Sequence, residues 1–419
     1  MRIYSLKVFY QPNNNQPHEN PIKILKYFFI SLFAVILLFL ATVYLGYKVF
    51  FKPEYSEVPT KEAIVNHSFC FGVECQEKPT TTEGYISILA AQIKRYNSET
   101  NTYWPNNSVK DYYALVESIE NKKGWLISPD GKIQNLTTAE ITAITHSRPR
   151  YSVGFSEFEH QGKKGMYLAL SEKDLTNVLQ YEKYSHLGTY DLFITYAHEL
   201  FHMSEQNKWK SPEKVINASR SDRFEDLDAR VQRNLIYQQV LKAIVENDTV
   251  RKQENIKAIV SSYRYYQKNF AEDYKSSLFM DRIEGSAYYF EMITSLYSAY
   301  PNQIKTEHDL YEGLKLIAQN TNPFEGIGLG IEGYWLSGWT GVLLDQYEGD
   351  QKNDWKLQLM NNPNSTPLEI LSNKFNGIDL PTPQRVTEKD KIKIQSWIKQ
   401  REETSNLPAL FQFMYQIIF

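Results

Sequence analysis

Cysteine is nearly absent from this chain. Among 419 residues only Cys70 and Cys75 occur, which excludes multi-cysteine zinc modules, iron–sulfur clusters and disulfide-rich folds. Any metal chemistry must therefore use histidine and carboxylates. An excess of basic residues is lacking too, since the formal net charge is −3. Residues 1–52 carry +5, from Arg2, Lys7, Lys23, Lys26, Lys48 and Lys52 against Glu19; taking +5 from −3 leaves −8 for the remainder. An acidic body argues against nucleic-acid binding, whose affinity rests on Lys and Arg neutralising phosphates. No internal repeat is found. At 42% hydrophobic and 23% charged, the chain can bury at least one sizeable core, in one large domain or two modest ones. Its 30 tyrosines and 22 phenylalanines are spread along the whole length and read as core and half-buried surface rather than as a binding platform.

One long apolar run is present. From Tyr27 to Tyr47 no residue is charged, and these 21 residues match a helix crossing a hydrocarbon core of about 30 Å. No small-x-small cleavage site or lipid-attachment cysteine follows, so the run reads as an uncleaved single-pass anchor. Four Lys or Arg precede it and Lys48, Lys52 and Lys61 follow, a bias that favours the N-terminus inside. The main body then lies outside the cytoplasm, in a periplasm or at an open surface. There Cys70 and Cys75 form a small disulfide loop or remain two thiols.

The remaining organisation follows from composition and periodicity. Residues 1–26 read as a cytoplasmic tail, 27–47 as the transmembrane helix and 48–83, rich in Pro, Thr, Glu and Lys, as a stalk. Residues 84–189 are expected to hold a helix (Tyr85 to Tyr96), a turn at Ser128-Pro129-Asp130-Gly131 and two strands, Tyr151 to Phe158 and Gly165 to Leu170, joined as a hairpin. Residues 190–360 read as helical, with segments Tyr190 to Asn207, Asp222 to Glu246, Arg251 to Tyr274 and Asp281 to Tyr300. Residues 361–419 read as a C-terminal helical region whose last apolar run, Leu407 to Phe419, is too short to span a bilayer. The fold class expected is α+β, mostly helical after residue 189.

The segment that carries chemistry is His198-Glu199-Leu200-Phe201-His202, an H-E-x-x-H string within a helical stretch. Histidines four apart project from one helix face, close enough for both imidazoles to hold one zinc ion, with Glu199 placed to take a proton from water activated by that ion. The neighbours Ala197, Leu200, Phe201 and Met203 are uncharged, as a helix with its back in a core requires. A catalytic zinc needs a third protein ligand. Only His308 follows His202, so a carboxylate is expected, and Glu225 and Glu284 are the two candidates. Seven residues past Glu284 and on its helix face, Glu291 is placed to orient a ligand histidine. His146, His160 and His186 lack partners at ligand spacing.

The stretch Glu284-Gly285-Ser286-Ala287-Tyr288-Tyr289 resembles the E-G-x-A-x-Y pattern of gluzincin metallopeptidases, whose Glu is the third zinc ligand. Together with H-E-x-x-H, the helical insert between the two motifs, and Gly333-Tyr334-Trp335-Leu336-Ser337-Gly338 further on, it is similar to membrane-anchored or secreted bacterial zincin-like proteins over roughly residues 190–360. The resemblance implies a zincin-like domain holding Zn2+ through His198, His202 and Glu284, with Glu199 as general base. It favours Glu284 over Glu225, and small residues after Glu284 are expected to let its helix approach the H-E-x-x-H helix. A donor to the developing oxyanion is sought in Tyr334, His308 or Tyr288. The expected activity is hydrolysis of a peptide or protein substrate, with a peptide lying along the edge strand of the sheet. The contrasting reading is a catalytically inactive zincin-fold scaffold that binds a partner protein or envelope polymer through the helical insert.

Overall fold

The structure is a computed structural model. It describes residues 81–99, 103–105, 111–118, 122–145, 154–170, 191–210, 226–300, 303–321, 323–324, 332–383 and 387–405. The chain divides into units Met1–Val58 and Pro59–Phe419, and all described residues belong to the second. The expected anchor, Cys70, Cys75 and the Leu407 to Phe419 run lie outside the described residues. Among the described residues no helix is long and apolar enough to cross a membrane.

A five-stranded sheet forms the N-terminal part: β1 (Tyr113–Ser118), β2 (Lys123–Ile127), β3 (Ile133–Leu136), β4 (Gly154–His160) and β5 (Lys163–Leu170), in the order β3-β2-β1-β5-β4. β1 and β5 run parallel and the other pairs are antiparallel. The expected β4–β5 hairpin is present. Its two-residue turn, Gln161-Gly162, has φ of 50° and 75°, the doubly positive form that matches the right-handed twist of paired strands. The turn at Ser128 to Gly131 joins β2 to β3, with the Gly131 amide donating to Ser128 O at 2.8 Å.

The period-two geometry of strands divides the sheet's side chains between two cores. Ala114, Val116, Trp125, Ile127, Met166 and Leu168 enter the main core. From the opposite face Leu115, Leu126, Leu136, Phe158 and Tyr167 pack on Ile141 and Ile144 of α2 (Thr138–Thr145). The main core is continued by α1 (Thr82–Glu99), through Tyr85, Leu89, Ile93 and Tyr96, and by the helices that follow.

These are α3 (Asp191–Ser204), α4 (Leu227–Val245), α5 (Thr249–Asn269), α6 (Ala271–Phe279), α7 (Gly285–Ala299), α8 (Glu307–Asn320), α9 (Glu332–Glu348), α10 (Asn353–Asn361), α11 (Pro367–Asn373) and α12 (Glu388–Ser405). The chain is thus α+β and mostly helical after residue 190. Side-chain caps explain several starts. Asp226 accepts from Ala229 N at 3.0 Å, Asp248 from Arg251 N at 2.8 Å, and Thr306 with Asp309 makes a capping box, each satisfying an amide that the first turn leaves without a partner. The C-terminal region shares the main core through Leu368, Leu371 and Phe375.

One helix boundary differs from expectation. The helix expected over Arg251 to Tyr274 ends at Phe270 (φ −126°, ψ 48°). Helical backbone then runs unbroken from Ala271 to Ala299, through a π turn at Met280–Glu284. A π turn carries one extra residue, which shifts the facing of everything after it by about 100°.

Candidate metal centre

α3 buries Phe193, Tyr196, Ala197, Leu200 and Phe201 completely. Their spacing of i, i+3, i+4, i+7 and i+8 is the apolar stripe of an α-helix. Phe201 stacks on Phe290 of α7 with centroids 4.6 Å apart, and Trp104 meets its edge at 4.8 Å. His198 and His202 stand on the adjoining row, the first buried and the second half-buried. Past Ser204 the chain tightens into a 3-10 turn at Gln206–Lys208, which brings Gln206 back beneath His202.

Glu284 arrives from the other side as the last residue of the π turn. A buried charge network holds that turn. Arg233 of α4 donates to Asp281 through Nη2 (2.6 Å) and Nη1 (3.0 Å), to Ser277 Oγ at 3.1 Å, and through Nε to Glu332 at 3.2 Å. Arg230 pairs with Asp273 and Glu332. Because Glu332 opens α9 two residues before Tyr334, the arginines of α4 tie the π turn to the helix that carries the tyrosine. Gly285 faces α9: a Cβ there would lie 2.3 Å from Ser337 Cβ and 2.8 Å from Gly333 O. Its smallness therefore serves the α7–α9 contact, while the next small residue, Ser286, is the one that meets the H-E-x-x-H side, through Gln206 at 2.9 Å.

Three donor atoms converge. His198 Nε2 lies 3.0 Å from His202 Nε2 and 3.2 Å from Glu284 Oε2, and His202 Nε2 lies 3.4 Å from the same carboxylate oxygen. Donors about 2.0–2.1 Å from one tetrahedral ion stand about 3.3–3.4 Å apart, so His198, His202 and Glu284 fit a single metal ion. The far side of each imidazole is engaged as well. His198 Nδ1 is 2.8 Å from Glu291 Oε2, and His202 Nδ1 is 2.5 Å from Gln206 Oε1. Both contacts leave the Nε2 atoms pointing inward while the other ring nitrogen is engaged, an arrangement common among metal-binding histidines. Tyr334 lies over the site, its ring parallel to that of His198 with centroids 5.6 Å apart and its side chain hydrogen-bonded to Glu284.

The electrostatics favour positive charge at this point. Burial acts to lower the His198 imidazole, but hydrogen bonds to Glu284 and Glu291 and their charges outweigh it and raise the group to about 10. Burial acts to raise Glu284, and the hydrogen bonds from His198, His202 and Tyr334 overcome it, holding this carboxyl well below its ordinary value. Glu291 is pushed up by burial despite its bond to His198. Glu199 is also pushed up, chiefly by burial; His198 and His202 oppose the shift while Glu284 and Glu291 add to it. A half-buried carboxylate of raised proton affinity therefore stands beside the three donors.

The other expected candidates fall elsewhere. His308 is exposed in the first turn of α8, and His160 ends β4. Tyr288 is buried with its ring against Gly338 of α9. Glu225, His146 and His186 lie outside the described residues. Gln206 was not singled out from the sequence, although its position four residues past His202 places it one helical turn further along the same row. Compared with known protein families, with curated proteins and with solved structures, the chain matches none.

Proposed function

We propose that this protein is a zinc-dependent metallopeptidase of the gluzincin type, anchored in a membrane by residues 27–47 with its catalytic body outside the cytoplasm. The observation that carries the reading is the convergence of His198 Nε2, His202 Nε2 and Glu284 Oε2 at the spacing of a tetrahedral face, beside a carboxylate that has no place among the donors.

His198, His202 and Glu284 would hold the ion. A zinc ion bound there supplies Lewis-acid polarisation of a carbonyl and a water of near-neutral pKa. Glu199 takes the proton from the attacking water onto its carboxylate and delivers it to the leaving amine nitrogen. Its upward-shifted proton affinity suits a group that must accept and then release a proton near neutrality. Tyr334, stacked on His198 and bonded to Glu284, can donate to the oxygen of the carbonyl under attack once its hydroxyl leaves Glu284. Glu291 and Gln206 hold the two imidazoles in orientation. The substrate class that follows is a peptide or protein.

The inactive-scaffold reading drew on the helical insert as an interface. In the fold one face each of α4 and α5 supplies Ile236, Val240, Ile244, Ile259 and Tyr263 to the main core, while Val250 and Tyr265 of α5 are exposed. The distinguishing experiment is Glu199→Gln in the full chain, assayed on a fluorescently labelled denatured protein. Retained zinc with turnover at least about 100-fold lower, as loss of a general base predicts, supports the assignment. Unchanged turnover refutes it.

A further inference from the structure

Gln206 lies outside both sequence motifs, yet its buried side chain touches the machinery at three points. Oε1 is 2.5 Å from His202 Nδ1; Nε2 is 2.8 Å from the backbone carbonyl of Ile283 and 2.9 Å from Ser286 Oγ. A backbone carbonyl only accepts, so the amide atom facing Ile283 O must be the nitrogen. Ser286 agrees, because its own hydroxyl donates to Arg282 O at 2.6 Å and so offers a lone pair to Gln206. The amide orientation is thereby decided, and Oε1 faces the imidazole. An amide oxygen also only accepts. The ring proton of a neutral His202 must therefore reside on Nδ1; Nε2 is then bare and accepts from His198 Nε2 at 3.0 Å, and its 3.4 Å contact with Glu284 is a hydrogen bond only when the ring carries both protons.

We infer that Gln206 is a positioning residue that sets the tautomer of His202 and ties this histidine to the segment bearing Glu284. Its Nε2 holds the carbonyl of Ile283, the residue immediately before Glu284, while its Oε1 holds His202. The second histidine and the carboxylate are thus placed as one unit, although 81 residues separate them in sequence. A free neutral imidazole in water prefers its proton on Nε2, the atom that must be bare to bind a cation, so the tautomer found here has to be imposed. The consequence for metal binding rests on the reading of His198, His202 and Glu284 as a zinc site; the tautomer itself is a property of the protein alone.

The test uses the full chain labelled with nitrogen-15 at histidine, with His202 assigned by its loss in His202→Gln, at a pH where the ring is neutral. The unsubstituted chain is expected to show the Nδ1–H form, and Gln206→Leu the Nε2–H form. Gln206→Glu, which keeps an acceptor facing Nδ1, should restore Nδ1–H; that rescue is one a purely space-filling role would not give. Zinc affinity, read against a competing chelating indicator, should fall about 10- to 100-fold in Gln206→Leu and recover only in part in Gln206→Glu, which keeps the acceptor for Nδ1 but cannot donate to Ile283 O. An Nε2–H ring in the unsubstituted chain, or Nδ1–H persisting in Gln206→Leu, overturns the inference. If Gln206→Leu does not fold, Gln206→Ala, which also removes the acceptor, is read on the same criteria. A tautomer that follows Gln206 in a chain that takes up no zinc supports this inference and refutes the zinc site. Zinc bound equally by all three proteins with an unmoved tautomer refutes this inference and leaves the zinc site standing.

Discussion

Replacing Glu291 separates the proposed zinc site from the fold that surrounds it. Its carboxylate lies 2.8 Å from His198 Nδ1, deep in α7. A hydrogen bond to a charged group in such a place is worth about 1.5–3 kcal/mol. Each 1.4 kcal/mol is about tenfold in an equilibrium constant, so Glu291→Ala should weaken zinc binding roughly 10- to 150-fold. Glu291→Gln keeps an oxygen that accepts from Nδ1–H without the charge. Since a neutral bond has roughly half the strength, the loss expected is about 3- to 12-fold. Global stability is a separate matter, because removing a carboxylate whose proton affinity burial raises also removes a desolvation cost. The assay is titration of the full chain with zinc against a chelating indicator, with circular dichroism to confirm the fold. A well-folded Glu291→Ala chain that binds zinc as tightly as the parent would refute the reasoning that Glu291 orients His198.

Asp281→Ala should destabilise the protein by at most about 3–5 kcal/mol, because Arg233 and Asp281 are each 3% exposed and the change leaves a buried guanidinium with Glu332 as its remaining charged partner; denaturant unfolding of Asp281→Ala beside Arg233→Met/Asp281→Leu measures it, and the double variant should recover most of the loss. Lys356 is 1% exposed, and burial lowers its ammonium below the ordinary lysine value despite Asp345 at 3.4 Å. The native state then binds fewer protons than the unfolded chain between the lowered value and about 10.4, so this group's contribution grows more favourable as pH rises through that window. Stability of the parent relative to Lys356→Met, followed by denaturant unfolding from about pH 8 to pH 10, should rise; a constant difference would contradict the assignment.

How far the sequence discloses this site follows from which contacts are local. His198, Glu199 and His202 sit on one helix, where a spacing of four residues is itself a statement of geometry. Glu291 is legible for the same reason, since the backbone from Gly285 onward is regular α-helix and seven residues make two turns. What places Glu284 beside the two histidines is not local. It depends on Arg233 of α4 gripping Asp281 and on a π turn that changes the phase of Glu284, and neither leaves a periodic trace. Strands β1 to β3 escape notice because β1 is buried on both faces (only Tyr113 is half-exposed), β2 holds Gly124, and three of the four residues of β3 are exposed. None of the three shows the alternation that marks a half-buried strand. The β4–β5 hairpin is legible because its turn residues announce it.

The most direct test is the zinc content, by elemental analysis, of the purified full chain beside Glu284→Ala. One zinc per chain in the parent and a clear loss in the variant is the result expected from three donors 3.0–3.4 Å apart. A well-folded parent that takes up no zinc when supplied with it, or a variant that keeps its zinc in full, would contradict the account.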